Sequence, residues 1–112
     1  MPFLRIDKGD RHPEIIHLQR DKIVLGRSPD CDEVVSEDEV VSRWHAQILR
    51  VNNRIYIEDL KSKNRTFVNG EELLPHAPRP LDNNDSIIIG DFQATIGQFD
   101  CAPPEVLLDK MT

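Results

Sequence analysis

The sequence predicts an all-β domain dominated by antiparallel pairing, and three observations carry that prediction. Short runs rich in β-branched residues recur along the chain with turn residues between them, the pattern of a sandwich or barrel. Two dipeptides that suit tight hairpins, Asn52-Asn53 and Asn69-Gly70, join neighbouring runs. Apolar and polar residues alternate within the runs, and no stretch of this region carries a helical apolar stripe of useful length.

In chain order, the first runs are Phe3–Ile6, Glu14–Leu18 and Lys22–Leu25. Ala46–Val51 and Arg54–Glu58 follow, separated by two asparagines that tolerate positive φ, so they are expected to pair as a hairpin. Ile55 and Ile57 fall on one face, with Arg54, Tyr56 and Glu58 on the other. Asn69-Gly70 is the strongest hairpin signal and joins Thr66–Val68 to a short stretch beginning at Glu71. In Ser86–Ile89, Ile87 and Ile89 point opposite to Ser86 and Ile88, and Ile88 implies partial cover on the second face. Phe92–Phe99 is the last run. Pro103-Pro104 closes the β-rich region. Beyond it, Glu105–Met111 places Leu107, Leu108 and Met111 on one potential helical face, with proline suiting the helix start. Residues 1–101 therefore read as one domain, and 102–112 as a tail or the start of a helical linker to a further domain.

Composition bounds the function. A chain of 112 residues, 38% hydrophobic and 30% charged, has room for one modest core. No apolar run approaches the roughly 20 residues that span a bilayer, and the start lacks the apolar core of a secretory signal. A cytoplasmic location is the expectation. The formal net charge of −6 argues against a nucleic-acid module, which needs a basic face. Asp30, Asp32, Glu33, Glu37, Asp38 and Glu39 supply much of that excess, whereas Arg43, Lys61, Lys63 and Arg65 gather around the turns between runs, so a basic binding end on an acidic domain is expected. Cys31 and Cys101 fit no metal-ligand spacing and read as free thiols. The four histidines form no metal-binding pattern either, so neither a metal nor a cofactor is expected.

Three turn segments stand out: Leu25-Gly26-Arg27-Ser28, Ser42-Arg43-Trp44-His45 and Asp59-Leu60-Lys61-Ser62-Lys63-Asn64-Arg65-Thr66. They set an arginine, hydroxyl groups and an asparagine in separate turns of a β domain, which suits clamping an anion. With the Val68-Asn69-Gly70 turn they occur in the order of the forkhead-associated (FHA) domain family, which this chain resembles from about Phe3 to Phe99. The resemblance implies a β-sandwich of about eleven strands that binds phosphothreonine peptides through loops at one end.

A phosphothreonine carries about −1.5 to −2 charges near neutral pH, so its reader needs a fixed cation and several neutral donors. By resemblance, Arg27 and Ser42 contact the phosphate, and Arg43 and Lys63 touch phosphate or peptide backbone. Asn64 holds the peptide main chain around the position after the phosphothreonine. Gly26 permits an unusual backbone angle or a close approach. His45, Asp59, Thr66 and Gly70 are loop architecture, and Trp44 is packing or a partly exposed neighbour of the site. Val40, in the Glu39–Val41 loop, is the candidate for reading an apolar side chain further along the peptide.

Two departures from the family pattern stand out. Arg65 replaces the glycine usual between the asparagine and the threonine; if the position needs positive φ, arginine costs about 1 kcal/mol or more. It also adds a cation to the rim, which favours ligands with acidic residues near the phosphothreonine. Asn84-Asp85 replaces a Gly-Asp pair and concerns only a turn away from the site. The expected function is a non-enzymatic signalling module that recruits a phosphothreonine-bearing partner, or a phosphorylated segment of its own chain, beside a possible adjoining signalling domain. Two rivals are a phosphate-independent interaction or self-association domain and a small hydrolase using Ser42 and His45. Against the hydrolase, no nucleophile elbow is present, and a serine three residues before its histidine cannot readily reach the imidazole.

Overall fold

The computed structural model describes residues 2–7 and 12–97. Their eleven strands are β1 (Phe3–Ile6), β2 (Glu14–His17), β3 (Lys22–Gly26), β4 (Glu33–Val34), β5 (Ala46–Val51), β6 (Arg54–Asp59), β7 (Thr66–Val68), β8 (Glu71–Glu72), β9 (Arg79–Leu81), β10 (Ser86–Ile89) and β11 (Phe92–Gly97). They form two sheets, one in the order β2-β1-β11-β10-β7-β8 and the other β4-β3-β5-β6-β9. Each strand pair is antiparallel except β3 with β4. The expected all-β sandwich is the observed fold.

Period-two alternation builds the core between the sheets. Ile55 and Ile57 are buried on β6 and Ile87 and Ile89 on β10, while Tyr56, Ser86 and Ile88 are half-exposed, as their spacing predicts. Leu4, Ile6, Ile23, Leu25, Ile48, Leu81 and Ile96 are among the residues that share this apolar layer. Burying each such side chain contributes about 1.5–3 kcal/mol, which holds the strand ends and hence their loops in register.

Both asparagine turns close hairpins. Asn52 and Asn53 have φ of 51° and 65°, and Asn69 and Gly70 have 51° and 85°, the paired positive φ of tight turns whose twist matches the strands. Two strands escape the sequence pattern. β4 has only two residues within the acidic run, and it exists because Leu25 pairs with Glu33 and Gly26 with Val34. β9 contains Pro80, which demotes a run in sequence, yet β9 is an edge strand, where the missing N–H is tolerated. The expected end of the last run at Phe99, the Cys101 thiol and the helix over Glu105–Met111 lie outside the described residues. Among the described residues, no helix is long and apolar enough to cross a membrane.

Strand directions sort the turns. The β3–β4, β4–β5, β6–β7 and β10–β11 connections lie at one end of the sandwich. The Asn52-Asn53 turn, the Asn69-Gly70 turn and the 82–85 loop lie at the other, the last two joined by the Asn69–Asp85 bond.

Candidate functional site

The first end is assembled by backbone contacts that need a glycine. Gly26 lies so close to the Arg43 carbonyl that a Cβ would fall 2.1 Å from its oxygen, so the glycine serves close approach. Through this gap the Arg27 N–H reaches the Ser42 and Arg43 carbonyls at 3.0 and 3.1 Å, and the Ser28 N–H reaches Arg43 O at 3.2 Å. The buried Cys31 thiol donates to the same Arg43 carbonyl at 3.0 Å, and burial pushes its pKa up. The Arg27 turn is thereby stapled to the Ser42-Arg43 turn.

Arg27 is half-buried, and its Nε donates to Val41 O at 2.9 Å. That bond fixes the guanidinium plane and leaves both terminal NH2 groups without a partner among the described residues. A planar fork held in this way suits bidentate binding of a phosphate or carboxylate.

Ser42 links the second loop to the third. Its Oγ accepts the Lys63 N–H at 2.9 Å, which uses one lone pair and leaves the hydroxyl proton to donate. Asn64 crosses between loops as well, donating from Nδ2 to Val40 O at 2.9 Å and keeping its second N–H and its Oδ1. The Lys63 and Arg43 side chains are exposed and have no carboxylate partner among the described residues.

Beneath these groups lies a buried polar frame. His45 has no exposed surface; its Nδ1 accepts the Ser42 N–H at 3.0 Å and its Nε2 donates to Arg65 O at 2.8 Å. Those two bonds fix the neutral Nε2–H tautomer, and burial lowers the ring pKa despite the opposing influence of the Arg65 carbonyl and Asp59. Asp59 is also fully buried and has no cation partner among the described residues. It accepts from the Ser62 N–H, the Ser62 hydroxyl and the Thr66 hydroxyl, which together satisfy its carboxylate.

The structure thus brings Arg27, Ser42, Arg43, Lys63 and Asn64 to one end, over Gly26, His45, Asp59 and Thr66. Gly70 is not with them. It forms the turn at the far end of β7, with φ of +85° and open space around its Cα. Its neighbour Asn69 bonds Asp85 and Ser86 there.

Sequence reasoning missed three contributors. The Val41 carbonyl that aims Arg27 is a backbone group and has no residue-type signal. The sequence marks Cys31 only as a free thiol, with no sign of its bond to the Arg43 carbonyl. Gly90, at φ +63°, packs so that a Cβ would lie 2.6 Å from Val40 O, and thus brings the β10–β11 turn against the Val40 loop. A glycine between two apolar β runs was its only signal. Trp44 is 46% exposed beside the site.

The acidic run divides in two. Asp32 lies along β3, bonding the Val24 N–H at 2.8 Å and pairing with Arg20 at 3.3 Å. Glu37, Asp38 and Glu39 are exposed in the β4–β5 loop ahead of Val40, so this end of the domain carries both signs of charge and is not uniformly basic. The Asp38 turn, with its carbonyl on Val41 N and its carboxylate on Val40 N, shapes that loop.

Arg65 has φ of 69°, so the position does take the left-handed conformation for which glycine is suited, at a cost of about 1 kcal/mol or more. Its Nε lies 3.4 Å from Glu72 Oε2, in a pair 42% and 52% exposed. Such an exposed pair contributes about 0–1 kcal/mol and does not clearly offset the strain. Asn84, in place of the usual glycine, has φ of 71°, which asparagine tolerates.

Comparison with known proteins agrees with this architecture. The family model described as FHA domain matches residues 23–90, more than half of the chain. The chain is 37% identical over 91 residues to an oxoglutarate dehydrogenase inhibitor of Corynebacterium jeikeium, covering 81% of this chain and 60% of that protein. It spans less than two thirds of the length of the curated relatives it matches. Among solved structures, the FHA domain of CT664 from Chlamydia trachomatis superposes with a TM-score of 0.78 at 29% identity, over 90% of this chain and 98% of that one. EmbR of Mycobacterium tuberculosis, in complex with a low affinity phosphopeptide, superposes with a TM-score of 0.76 at 28% identity, over 92% of this chain and 26% of that one. By its matched residues, its two-sheet topology and these relatives, the chain is a member of the FHA domain family.

Proposed function

We propose that this domain binds phosphothreonine-containing segments, of a partner protein or of its own polypeptide, as a non-enzymatic recruiting module of the cytoplasm. The observation that carries the reading is the Arg27 guanidinium, oriented by Val41 O with its terminal NH2 groups open, beside a Ser42 hydroxyl whose proton is uncommitted. A phosphate monoester offers acceptor oxygens and about −1.5 to −2 charges, which complement a fixed cation and a neutral donor. Arg43 and Lys63 add charge at the rim, and Asn64 offers a donor and an acceptor to a peptide main chain. Family membership and the phosphopeptide bound to EmbR support the same assignment. In a longer polypeptide, the module would direct an adjoining signalling domain to its target.

Hydrolysis by Ser42 and His45 is disfavoured on geometry. Both ring nitrogens of His45 are engaged, one by the Ser42 N–H and the other by Arg65 O, so neither can take a proton from the Ser42 hydroxyl. Phosphate-independent docking has little to recommend it, since the large exposed apolar residues among those described, Ile15, Val34, Trp44, Val51 and Leu74, are spread over three strands and two loops.

Calorimetric titration with a mixed phosphothreonine peptide library, against phosphoserine and unphosphorylated counterparts, tests the reading. Binding is expected for phosphothreonine, weakened by about 2–5 kcal/mol in Arg27→Ala. Equal binding to all three libraries, or none by the folded domain, would overturn it.

A further inference from the structure

We infer that Arg65 is a specificity-determining residue, which makes the domain favour phosphothreonine sites followed by an acidic side chain, with Glu72 as an internal competitor for the same guanidinium. The inference rests on the phosphothreonine reading above and adds the class of sequence recognised.

Three observations carry it. Arg65 occupies a left-handed conformation at φ 69°, where glycine would be unstrained, and among the described residues its side chain pairs only with Glu72, weakly and exposed to solvent. Stability alone therefore does not account for an arginine here, and a strained residue beside a binding loop is a reasoned pointer to function. Its placement is also fixed: the Arg65 carbonyl is held by His45, and the residue directly follows Asn64, which is tied to Val40. The guanidinium thus leaves the loop at a defined point next to the group assigned to the peptide main chain.

The third observation is charge. Among the described residues, Arg65 is the one rim cation with a carboxylate partner; the approach to it is through Nε at 3.4 Å, and the terminal NH2 groups make no hydrogen bond to a described residue. Glu72 lies opposite Phe67 in the β7–β8 register, on the edge strand of its sheet, with its carboxylate half-exposed beside Arg65. A ligand carboxylate can add to or replace it. On the other flank, Glu37, Asp38 and Glu39 would repel an acidic residue. The site is therefore charge-asymmetric, and an acidic ligand side chain is accommodated on the β6–β7 side, where Asn64 meets the residue following the phosphothreonine.

The test uses short synthetic peptides with a single phosphothreonine among neutral residues, bearing glutamate, glutamine or lysine directly C-terminal to it, and an unphosphorylated control. Affinities are measured for the unaltered domain, Arg65→Gly and Glu72→Gln, with unfolding in urea as a check that each variant is folded. The unaltered domain is expected to bind the glutamate peptide about twofold to fivefold more tightly than the glutamine peptide. Arg65→Gly brings that ratio to about one, and Glu72→Gln raises it by freeing the guanidinium. Phosphate-dependent binding with the same ratio in the unaltered domain and Arg65→Gly would overturn the role of Arg65 while leaving the phosphothreonine reading intact. Failure of every phosphopeptide to bind, or equal binding of the unphosphorylated control, would overturn both.

Discussion

The two ends of this sandwich are made from the same strands and differ in where their polar groups are spent. At the far end, side chains answer one another: Asn69 Nδ2 donates to Asp85 Oδ1, the Ser86 N–H to Asn69 Oδ1, and the Asp82 N–H to Asp85 Oδ2. Those loops are closed on themselves. At the near end, each bridging side chain makes one contact to a neighbouring loop and keeps further capacity facing out. Arg27 reaches Val41, Ser42 receives Lys63 and Asn64 reaches Val40, while the fully satisfied His45 and Asp59 lie beneath. The difference teaches that a recognition site needs two populations of polar residues, a buried frame with no spare donors and a surface set with donors to spare.

The largest expected effect comes from breaking the frame. Asp59→Ala strands the Ser62 N–H and the Ser62 and Thr66 hydroxyls in a buried setting, so a loss of about 3–5 kcal/mol in urea unfolding is expected. A loss below about 1 kcal/mol would mean that these loops are not held by the carboxylate.

Two glycine substitutions then set the ends against each other. Gly90→Ala forces a Cβ against the Val40 carbonyl in a left-handed turn, so it should cost about 2–3 kcal/mol and weaken phosphopeptide binding, because Val40 anchors Asn64. Gly70→Ala meets no neighbouring atom and carries only the left-handed strain, about 1 kcal/mol, with binding unchanged. Equal effects of both on binding would erase the distinction between the ends.

The smallest effect expected is on pH. Burial depresses the His45 pKa below 6.5, so as the pH falls the ring takes up its proton at a higher pH in the unfolded chain than in the folded domain. Its contribution to stability is present above pH 6.5 and is lost as the pH falls through the lower folded value. Protonation also removes the acceptor for the Ser42 N–H. Nitrogen NMR of the ring across this range should find the Nε2–H tautomer at neutral pH, and a charged ring in the folded domain above pH 6.5 would contradict the assignment.

Much of this was legible in the residues. Period-two alternation placed Ile55, Ile57, Ile87 and Ile89 in the core, and the asparagine pairs located two hairpins, because both signals are local. β4 was not legible, since a two-residue parallel pairing with β3 depends on the partner strand and leaves no periodic trace. The motif spacing found Arg27, Ser42, Lys63 and Asn64, which the fold brings together from loops far apart in sequence. Gly70 was legible as the hairpin turn between β7 and β8 but not by its position, because motif order carries no direction and the antiparallel β7 delivers that turn to the opposite end. The strain at Arg65 was foreseen from the glycine it replaces, but its pairing with Glu72 depends on β7–β8 register and was not.

The most direct test of the two-ended account is amide chemical-shift mapping of the domain titrated with a phosphothreonine peptide. The account predicts shifts at Arg27, Ser42, Arg43, Lys63 and Asn64, with smaller ones at Val40 and Gly90, and none at Asn69, Gly70 or Asp85. Shifts centred on the Asn69-Gly70 turn or on an outer sheet face, with the Arg27 loop unmoved, would contradict it.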